Sequence, residues 1–293
     1  MPSWLTPELI RRLEALRLSV RWVRSGRMLG GRFPINRRGS SVEFADHTPY
    51  YPGDDIRAID WSLYARLDRL FIKTYREEIT LAVEVLVDAT ASMGLPTPEK
   101  FARAGRLAVC LGYVALAGGH HVRLNWIAPG PLAASPWFHR RYDLFRLAQQ
   151  AEARRPEGQA DLADWMRRAS LALRMHGGQA IVLTDGMMPP AQLFRALQTL
   201  LVRNLEVKVI QVLTPQELHP ARLVRGSTIV DVESGSTHQL AYSPAQLARA
   251  VAEHNELLAR FCAKHTVRFV QHRLDEPLET FVTKMLPAHG FLE

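Results

Sequence analysis

The apolar run at residues 81–87, LAVEVLV, constrains the fold most strongly, because a strand with so few polar positions has to be covered on both faces. Beyond it, apolar strand-like segments alternate with helical segments to the end of the chain. Repeated strand–helix units form mainly parallel sheets with helices on both faces. The pattern therefore predicts an α/β fold of Rossmann type, with strands at 83–87, 121–127, 179–184, 206–213 and 267–272, and helices at 99–117, 144–154, 162–175, 191–203, 244–265 and 278–286.

The first quarter of the chain differs from this pattern. Thr6 and Pro7 are typical of a helix start, and leucine and valine then recur at helical spacing as far as Val23, with arginine between them. Residues 32–69 are predicted to be irregular, and residues 70–78 to form a strand. We therefore predict an N-terminal region at 1–78 and an α/β domain at 79–293. A β-hairpin insertion is predicted near 226–242, with its turn at 234–236.

Positive charge is concentrated at the N-terminus. The net charge is +8, and residues 1–38 carry nine arginines and two acids, a net +7. A nucleic-acid-binding protein usually spreads basic residues over its main domain, so no nucleic acid partner is expected. The basic amphipathic helix either lies on an anionic membrane surface or packs on its own domain with its charges solvated. With neither a signal-peptide core nor a membrane-spanning run in the sequence, we predict a cytoplasmic protein.

Oxygen-bearing side chains follow two of the predicted strands. The sequence Asp88-Ala-Thr90-Ala-Ser92 comes directly after the central strand, and Thr184-Asp185-Gly186 ends a later one. Open α/β sheets place their binding sites at the carboxyl ends of such strands. Carboxylates and hydroxyls are ligands suited to Mg²⁺ or Mn²⁺, so Asp88, Thr90, Ser92 and Asp185 are candidate metal ligands.

These motifs resemble a von Willebrand factor A domain with its metal-ion-dependent adhesion site. The upstream block GSSVEFADHTPYYPGDDIRAIDWSLYARLDRLFIKTYREE further resembles the bacterial family called domain of unknown function 58. The resemblance extends over roughly residues 5–290 and includes PQELHP at 215–220. It implies a protein-binding module that acts with a MoxR-type AAA+ ATPase in chaperone-like assembly or activation of a client protein.

The resemblance also implies a second ligand loop, and here the chain departs from the family pattern. The expected Gly-Gly-Thr-Asp-Leu-like run reads Gly-Gln-Ala-Asp-Leu at 158–162, and the methyl group of Ala160 cannot bind a metal. Asp161 is the candidate substitute, either directly or through a water. Flexible, apolar methionine side chains flank the site and adapt well to a partner, so Met93, Met187 and Met188 are candidate partner contacts. The alternative for each methionine is inward packing.

An enzymatic alternative comes from the PGDDIRAIDW block. Asp54, Asp55 and Asp60, together with Asp88, could form a metal-dependent hydrolase site if they converged in one pocket. The competing interpretation is structural, with these acids capping turns and helices. The sequence has no GxSxG elbow and no P-loop, which favours a protein without catalytic activity.

Overall fold

A six-stranded sheet forms the centre of the fold in the computed structural model. The strand order is β10-β7-β6-β3-β4-β5, and every neighbouring pair is parallel except β4 and β5. The arrangement confirms the predicted α/β fold. The strands of this sheet are β3 (Ala82–Asp88), β4 (His121–Ile127), β5 (Ala133–Ala134), β6 (Gln179–Thr184), β7 (Glu206–Leu213) and β10 (Arg268–Arg273).

The structure describes residues 2–20, 42–54, 56–77, 80–173, 175, 177–219, 228–230, 237–239 and 244–293. The chain divides into two compact units. One comprises residues 1–33 with 81–293, and the other comprises residues 34–80. Residues 2–20, which the sequence prediction assigned to the N-terminal region, group with the larger unit.

Helices cover both faces of the sheet. Leu86, Val182 and Val209 pack in one buried cluster with three helices on the same face. Val122 lies on the other face, where a Cβ atom added to Gly112 would come within 3.3 Å of it and within 2.8 Å of Leu147. The helices of this unit are α1 (Pro7–Glu14), α3 (Glu99–Ala117), α4 (Leu144–Glu152), α5 (Leu162–Ala172), α6 (Pro190–Val202), α7 (Pro215–Leu218), α8 (Pro244–Lys264), α9 (Leu278–Thr280) and α10 (Leu286–Ala288); a π-helical turn, Phe281–Met285, joins the last two.

The strand order reverses between β3 and β6. From β3 the chain passes through α3 to β4 on one side, and from β6 it passes through α6 to β7 on the other. Loops that leave neighbouring strands in opposite directions open a crevice at the carboxyl edge of the sheet. The segments that follow Asp88 and Thr184 meet at this crevice.

The N-terminal helix is shorter than predicted and ends at Glu14 rather than near Val23. After it, the chain pairs with the C-terminus: Arg17 N donates to Glu293 O at 2.9 Å, and Leu18 bridges Leu292. These backbone hydrogen bonds replace those that a continued helix would form. Val23 lies outside the described residues, as do all the basic residues of the segment beyond Arg17.

The apolar face of α1 is covered by the protein itself. Leu9 and Leu13 are buried and α1 contacts α3, while Arg11 and Arg12 face solvent. Over residues 7–14 the helix therefore packs on its own unit, and its apolar face is not free to enter a membrane surface. No helix in the described ranges combines the length and the apolar character needed to cross a bilayer.

The smaller unit contains elements that the sequence did not predict. Strand β1 (Val42–Pro49) pairs antiparallel with β2 (Phe71–Glu77), although residues 32–69 were expected to be irregular. A shift in register between Phe44 and Asp46 interrupts the two-residue period, and this obscures the strand in the sequence. A short helix, α2 (Trp61–Leu67), also lies in this stretch, and Asp60 caps it by accepting from Ser62 N and Leu63 N.

The predicted hairpin insertion is present as two short antiparallel strands. These are β8 (Thr228–Val230) and β9 (Thr237–Gln239). The predicted turn at residues 234–236 lies outside the described residues.

A buried histidine near the end of β10 makes stability depend on pH. The Nε2 atom of His272 lies 3.1 Å from Arg103 Nη1, so the neutral ring accepts this hydrogen bond. Burial, followed by the Arg103 charge, lowers the pKa of His272 from 6.5 to about 3, against a smaller opposing effect of Asp275. Nδ1 lies 3.7 Å from Glu276 Oε2.

His272→Gln should flatten the pH dependence of stability, because glutamine keeps an acceptor for Arg103 but does not titrate. In the parent, the unfolded chain binds a proton near pH 6.5 and the folded chain only near pH 3. The free energy of unfolding therefore falls as the pH drops below 6.5. Between pH 7 and pH 5, the free energy of unfolding measured with urea should fall by about 2 kcal/mol less in the variant than in the parent. His289→Gln, at an exposed histidine, is the control and should behave like the parent; an equal loss in all three proteins would contradict the prediction.

Candidate functional site

The two predicted oxygen-bearing segments meet at the carboxyl edge of the sheet. Asp88 ends β3, and Asp185 follows the last residue of the neighbouring strand β6. The hydroxyl of Thr184 donates to Asp88 Oδ2 at 2.7 Å, which joins the two strand ends directly. Asp88, Thr90 and Asp185 are almost completely buried, and Ser92 is partly exposed.

The Asp88 carboxylate is held by hydrogen bonds within this edge. Oδ1 accepts from the backbone nitrogen of Thr90 at 3.1 Å and from its hydroxyl at 2.7 Å. The Thr90 and Ser92 hydroxyl oxygens are 3.1 Å apart. Burial, followed by the nearby charge of Asp185, raises the pKa of Asp88 to about 6, although the hydrogen bonds from Thr184 and Thr90 act in the opposite direction.

A lysine ammonium reaches Asp185 from the first turn of α3. Lys100 Nζ lies 2.9 Å from Asp185 Oδ2 and 2.6 Å from Glu217 Oε1, and the lysine side chain is completely buried. Burial alone would lower the pKa of Lys100, but attraction to Asp185 and Glu217 outweighs it, so the pKa is raised. This residue was not predicted to belong to the site. The signal for Lys100 in the sequence is its helical spacing, which places it on the buried side of α3 with Ala104, Leu107 and Leu111.

Glu217 is fixed by the helix that carries it. Thr214 and Glu217 form a capping box at the start of α7, in which Glu217 Oε2 accepts from Thr214 N at 2.7 Å and from the Thr214 hydroxyl at 2.9 Å. The other carboxylate oxygen of Glu217, Oε1, accepts from Lys100 Nζ. The Thr-x-x-Glu spacing at 214–217, which begins one residue before the PQELHP segment, is the signal that could have identified Glu217 from the sequence.

The loop after Asp185 is tied down from several sides. Asp185 Oδ1 accepts from Met187 N at 3.1 Å, and the Asp185 carbonyl accepts from Gln211 Nε2 at 2.8 Å. His254 Nε2 lies 2.6 Å from the Gly186 carbonyl oxygen. Gly186 has φ +65, and a Cβ atom there would lie 3.2 Å from Leu258, so glycine suits both the backbone and the space.

The second loop approaches the site through its backbone. Ala91 N donates to Gly158 O at 2.8 Å, and Glu157 N donates to Ala89 O at 2.9 Å. Asp161 Oδ1 accepts from Ala163 N at 2.8 Å and from Asp164 N at 3.1 Å, so this side chain caps α5. These hydrogen bonds, with one from Gln192, lower the pKa of Asp161. Ala160 packs against the buried cluster beneath the loop.

The three candidate methionines differ in exposure. Met93 is completely buried, so it belongs to the core and is not accessible as the partner contact predicted for it. Its position in the 3₁₀ turn after Thr90 directs it inward, which is the packing alternative. Met187 and Met188 are partly exposed, and Met188 also packs against the core cluster. Leu95, which the sequence did not indicate, is 43% exposed in the same loop as Ser92.

Asp54 and Asp60, the two acids of the PGDDIRAIDW block that the structure describes, act as caps. Asp54 Oδ2 accepts from Tyr51 N at 2.9 Å. Asp60 caps α2 and lies 2.8 Å from His47 Nε2. Asp55 lies outside the described residues. Asp54 and Asp60 thus match the structural interpretation of this block.

The residues of the adhesion-type site do not fit a divalent ion well. Asp185 Oδ2 is bound by an ammonium, Ala160 offers no ligand, and Asp161 is engaged in capping α5. Within the described ranges, no group of three or more histidine, cysteine, aspartate or glutamate side chains is placed to hold a metal ion. What remains for an ion is one carboxylate, already bonded to three donors, and two hydroxyls.

Comparison with known proteins identifies the family. The model for "Protein of unknown function DUF58" matches residues 46–257. The chain belongs to this family. The uncharacterized protein Rv1480 of Mycobacterium tuberculosis is 27% identical over 267 residues, covering 87% of this chain and 81% of the relative, and the uncharacterized protein Mb1516 of Mycobacterium bovis matches to the same extent.

Solved structures similar to this DUF58 chain include von Willebrand A domains. BatB from Bacteroides thetaiotaomicron has 15% identity and a TM-score of 0.42, with 71% of this chain and 98% of that chain covered. The SpRpn10 VWA domain has 14% identity and a TM-score of 0.40, with 71% and 96% covered. An aerotolerance-related membrane protein from Bacteroides fragilis has 17% identity and a TM-score of 0.41, with 72% and 98% covered.

Lys100→Met should destabilise this DUF58 protein strongly. The substitution keeps most of the apolar stem but leaves Asp185 and Glu217 without their shared cation. Removing one partner of a buried ion pair costs about 3–5 kcal/mol of the free energy of unfolding. Urea unfolding at pH 7 measures this loss, and Lys284→Met, at an exposed lysine near the C-terminus, is the control. A loss below about 1 kcal/mol would show that the pair behaves like a solvated surface pair.

Proposed function

We propose that this DUF58 protein is a non-catalytic protein-binding module whose contact surface is the carboxyl edge of the sheet. The observation that carries the proposal is the convergence of the segments after β3 and β6 at the reversal of strand order, where α/β sheets bind their ligands. The rim of this edge consists of Ser92, Leu95, Met187 and Met188. Apolar side chains beside hydroxyl groups suit a protein partner, because they combine contact area with directional hydrogen bonds.

The chemistry of the site supports binding rather than catalysis. The buried acids at the edge are engaged by hydrogen bonds and by Lys100. Burial raises the pKa of Cys110 and of Cys262 to about 12, so neither thiol is ionised at neutral pH. Because the thiolate is the nucleophilic form of cysteine, Cys110 and Cys262 serve as core residues and not as nucleophiles.

The partner proposed for this surface is a MoxR-type AAA+ ATPase, with a client protein as the target of the pair. The resemblance of DATASMG, LTDG and the PGDDIRAIDW block to the family supports this part of the proposal. In this scheme the ATPase supplies the energy of nucleotide hydrolysis, and the chain described here supplies the recognition surface in the cytoplasm.

Met187→Glu should weaken binding to the MoxR-type ATPase of the same organism by about tenfold or more, since a charge would be buried in an apolar contact. Leu95→Glu should have a similar effect from the neighbouring loop. The measurement is calorimetric titration of the two purified proteins. Val202→Glu is the matched control, because Val202 is 80% exposed at the opposite end of α6 and its substitution should leave the affinity unchanged.

If Met187→Glu and Leu95→Glu both bound the ATPase with the affinity of the parent, the contact surface would lie elsewhere. Equal weakening in all three variants would indicate a non-specific effect of added negative charge and would equally contradict the proposed surface.

A further inference from the structure

We propose that the Lys100 ammonium supplies the positive charge that a divalent cation would supply at an adhesion-type site, so that this edge of the sheet is metal-independent. The proposal concerns the charge at the site and does not depend on the identity of the partner.

The position of the ammonium is the first argument. Lys100 Nζ is shared between Asp185 Oδ2 at 2.9 Å and Glu217 Oε1 at 2.6 Å, and the lysine side chain is completely buried. It therefore bridges the segments after β6 and β7 from the start of α3. A metal ion in an adhesion-type site joins separate loops in the same manner, because oxygen ligands from each loop coordinate it.

The chemistry of lysine is the second argument. An ammonium is a compact point charge with three donors, whereas the planar arginine guanidinium is larger and pairs in a fork. Of the 37 basic residues only five are lysine, and Lys100 is one of two that are completely buried among the lysines whose burial the structure describes. In a chain rich in arginine, a lysine occupies the position where a small cation is needed.

The state of the other donors is the third argument. Asp88 accepts three hydrogen bonds from Thr90 and Thr184. The Thr90 hydroxyl donates to Asp88 and lies 3.1 Å from that of Ser92. The oxygen atoms of this edge are therefore organised around one another. An incoming dication would have to break these contacts as well as displace the ammonium from Asp185.

The second loop provides the fourth argument. It meets the edge through backbone hydrogen bonds from Ala91 and Glu157, while Ala160 packs on the core and Asp161 caps α5. The loop is thus held in place without a metal bond, and the positions from which a ligand would be expected serve the core and the helix.

The first test is a titration of the full chain with MnCl₂ alone and with MgCl₂ alone, after treatment with a chelator and its removal. We expect no saturable heat for either ion below about 1 mM, and the same melting temperature with and without the ion. Asp88→Asn is titrated in parallel. The proposal would be overturned if the parent bound Mn²⁺ saturably and Asp88→Asn abolished that binding.

The second test asks whether charge compensation is the role of Lys100. Lys100→Met should melt at a lower temperature than the parent, and adding Asp185→Asn with Glu217→Gln should recover much of that loss, because the unpaired charges are then gone. A triple variant that melts no higher than Lys100→Met would overturn this role.

Lys208→Met provides the matched control for the second test. Lys208 is also completely buried, but its ammonium donates to the carbonyl oxygens of Ser19 and Phe291. Adding the same two neutral substitutions to Lys208→Met should bring no recovery; a recovery equal to that seen with Lys100→Met would count against the proposal. Both tests use the chain without a partner, so their results are independent of the proposed binding function.

Discussion

The buried ion pairs of Lys100 hold together three segments that the parallel sheet alone would leave apart. Parallel strands are hydrogen-bonded to their neighbours, but the loops that follow them are not, and each loop has to be fixed by side chains. Here the ammonium binds Asp185 after β6 and Glu217 after β7, while Thr184 binds Asp88 across the two strand ends. Desolvating these charges is costly, so the cluster contributes more to the geometry of this edge than to net stability.

The opposite end of the sheet is closed in a comparable way, with backbone carbonyl oxygens as acceptors for a second buried lysine. Lys208 Nζ donates to the carbonyl oxygens of Ser19 and Phe291, and the neighbouring Gln179 also donates to Ser19 O. The N-terminal and C-terminal segments pair with each other beneath the strands. Both buried lysines therefore join segments that are distant in sequence. One joins chain termini, where a ligand site is not expected, and the other joins the loops at the reversal of strand order.

The sequence predicted best those elements whose signal is local. Bounds of 99–117, 121–127, 179–184 and 206–213 agree with the structure, because apolar periodicity and helix-end signals lie within each segment. The short length of α1 could not be predicted in this way, since it depends on pairing with residues near 291–293. The candidate site shows the same division. Motifs placed Asp88 and Asp185 on one edge, but the role of Lys100 depends on Glu217, 117 residues further along the chain.

A lysine at this edge changes what a partner would have to offer. A site built on a divalent ion leaves a coordination position open and recognises a partner through one carboxylate. An ammonium that is buried and already bound by two carboxylates presents no such open position. The proposed recognition then relies on the surrounding rim, where Leu95 and Met187 offer apolar area and Ser92 offers a hydroxyl. Contacts of this kind depend on the shape of the partner and only weakly on ionic strength, because apolar burial is not screened by salt.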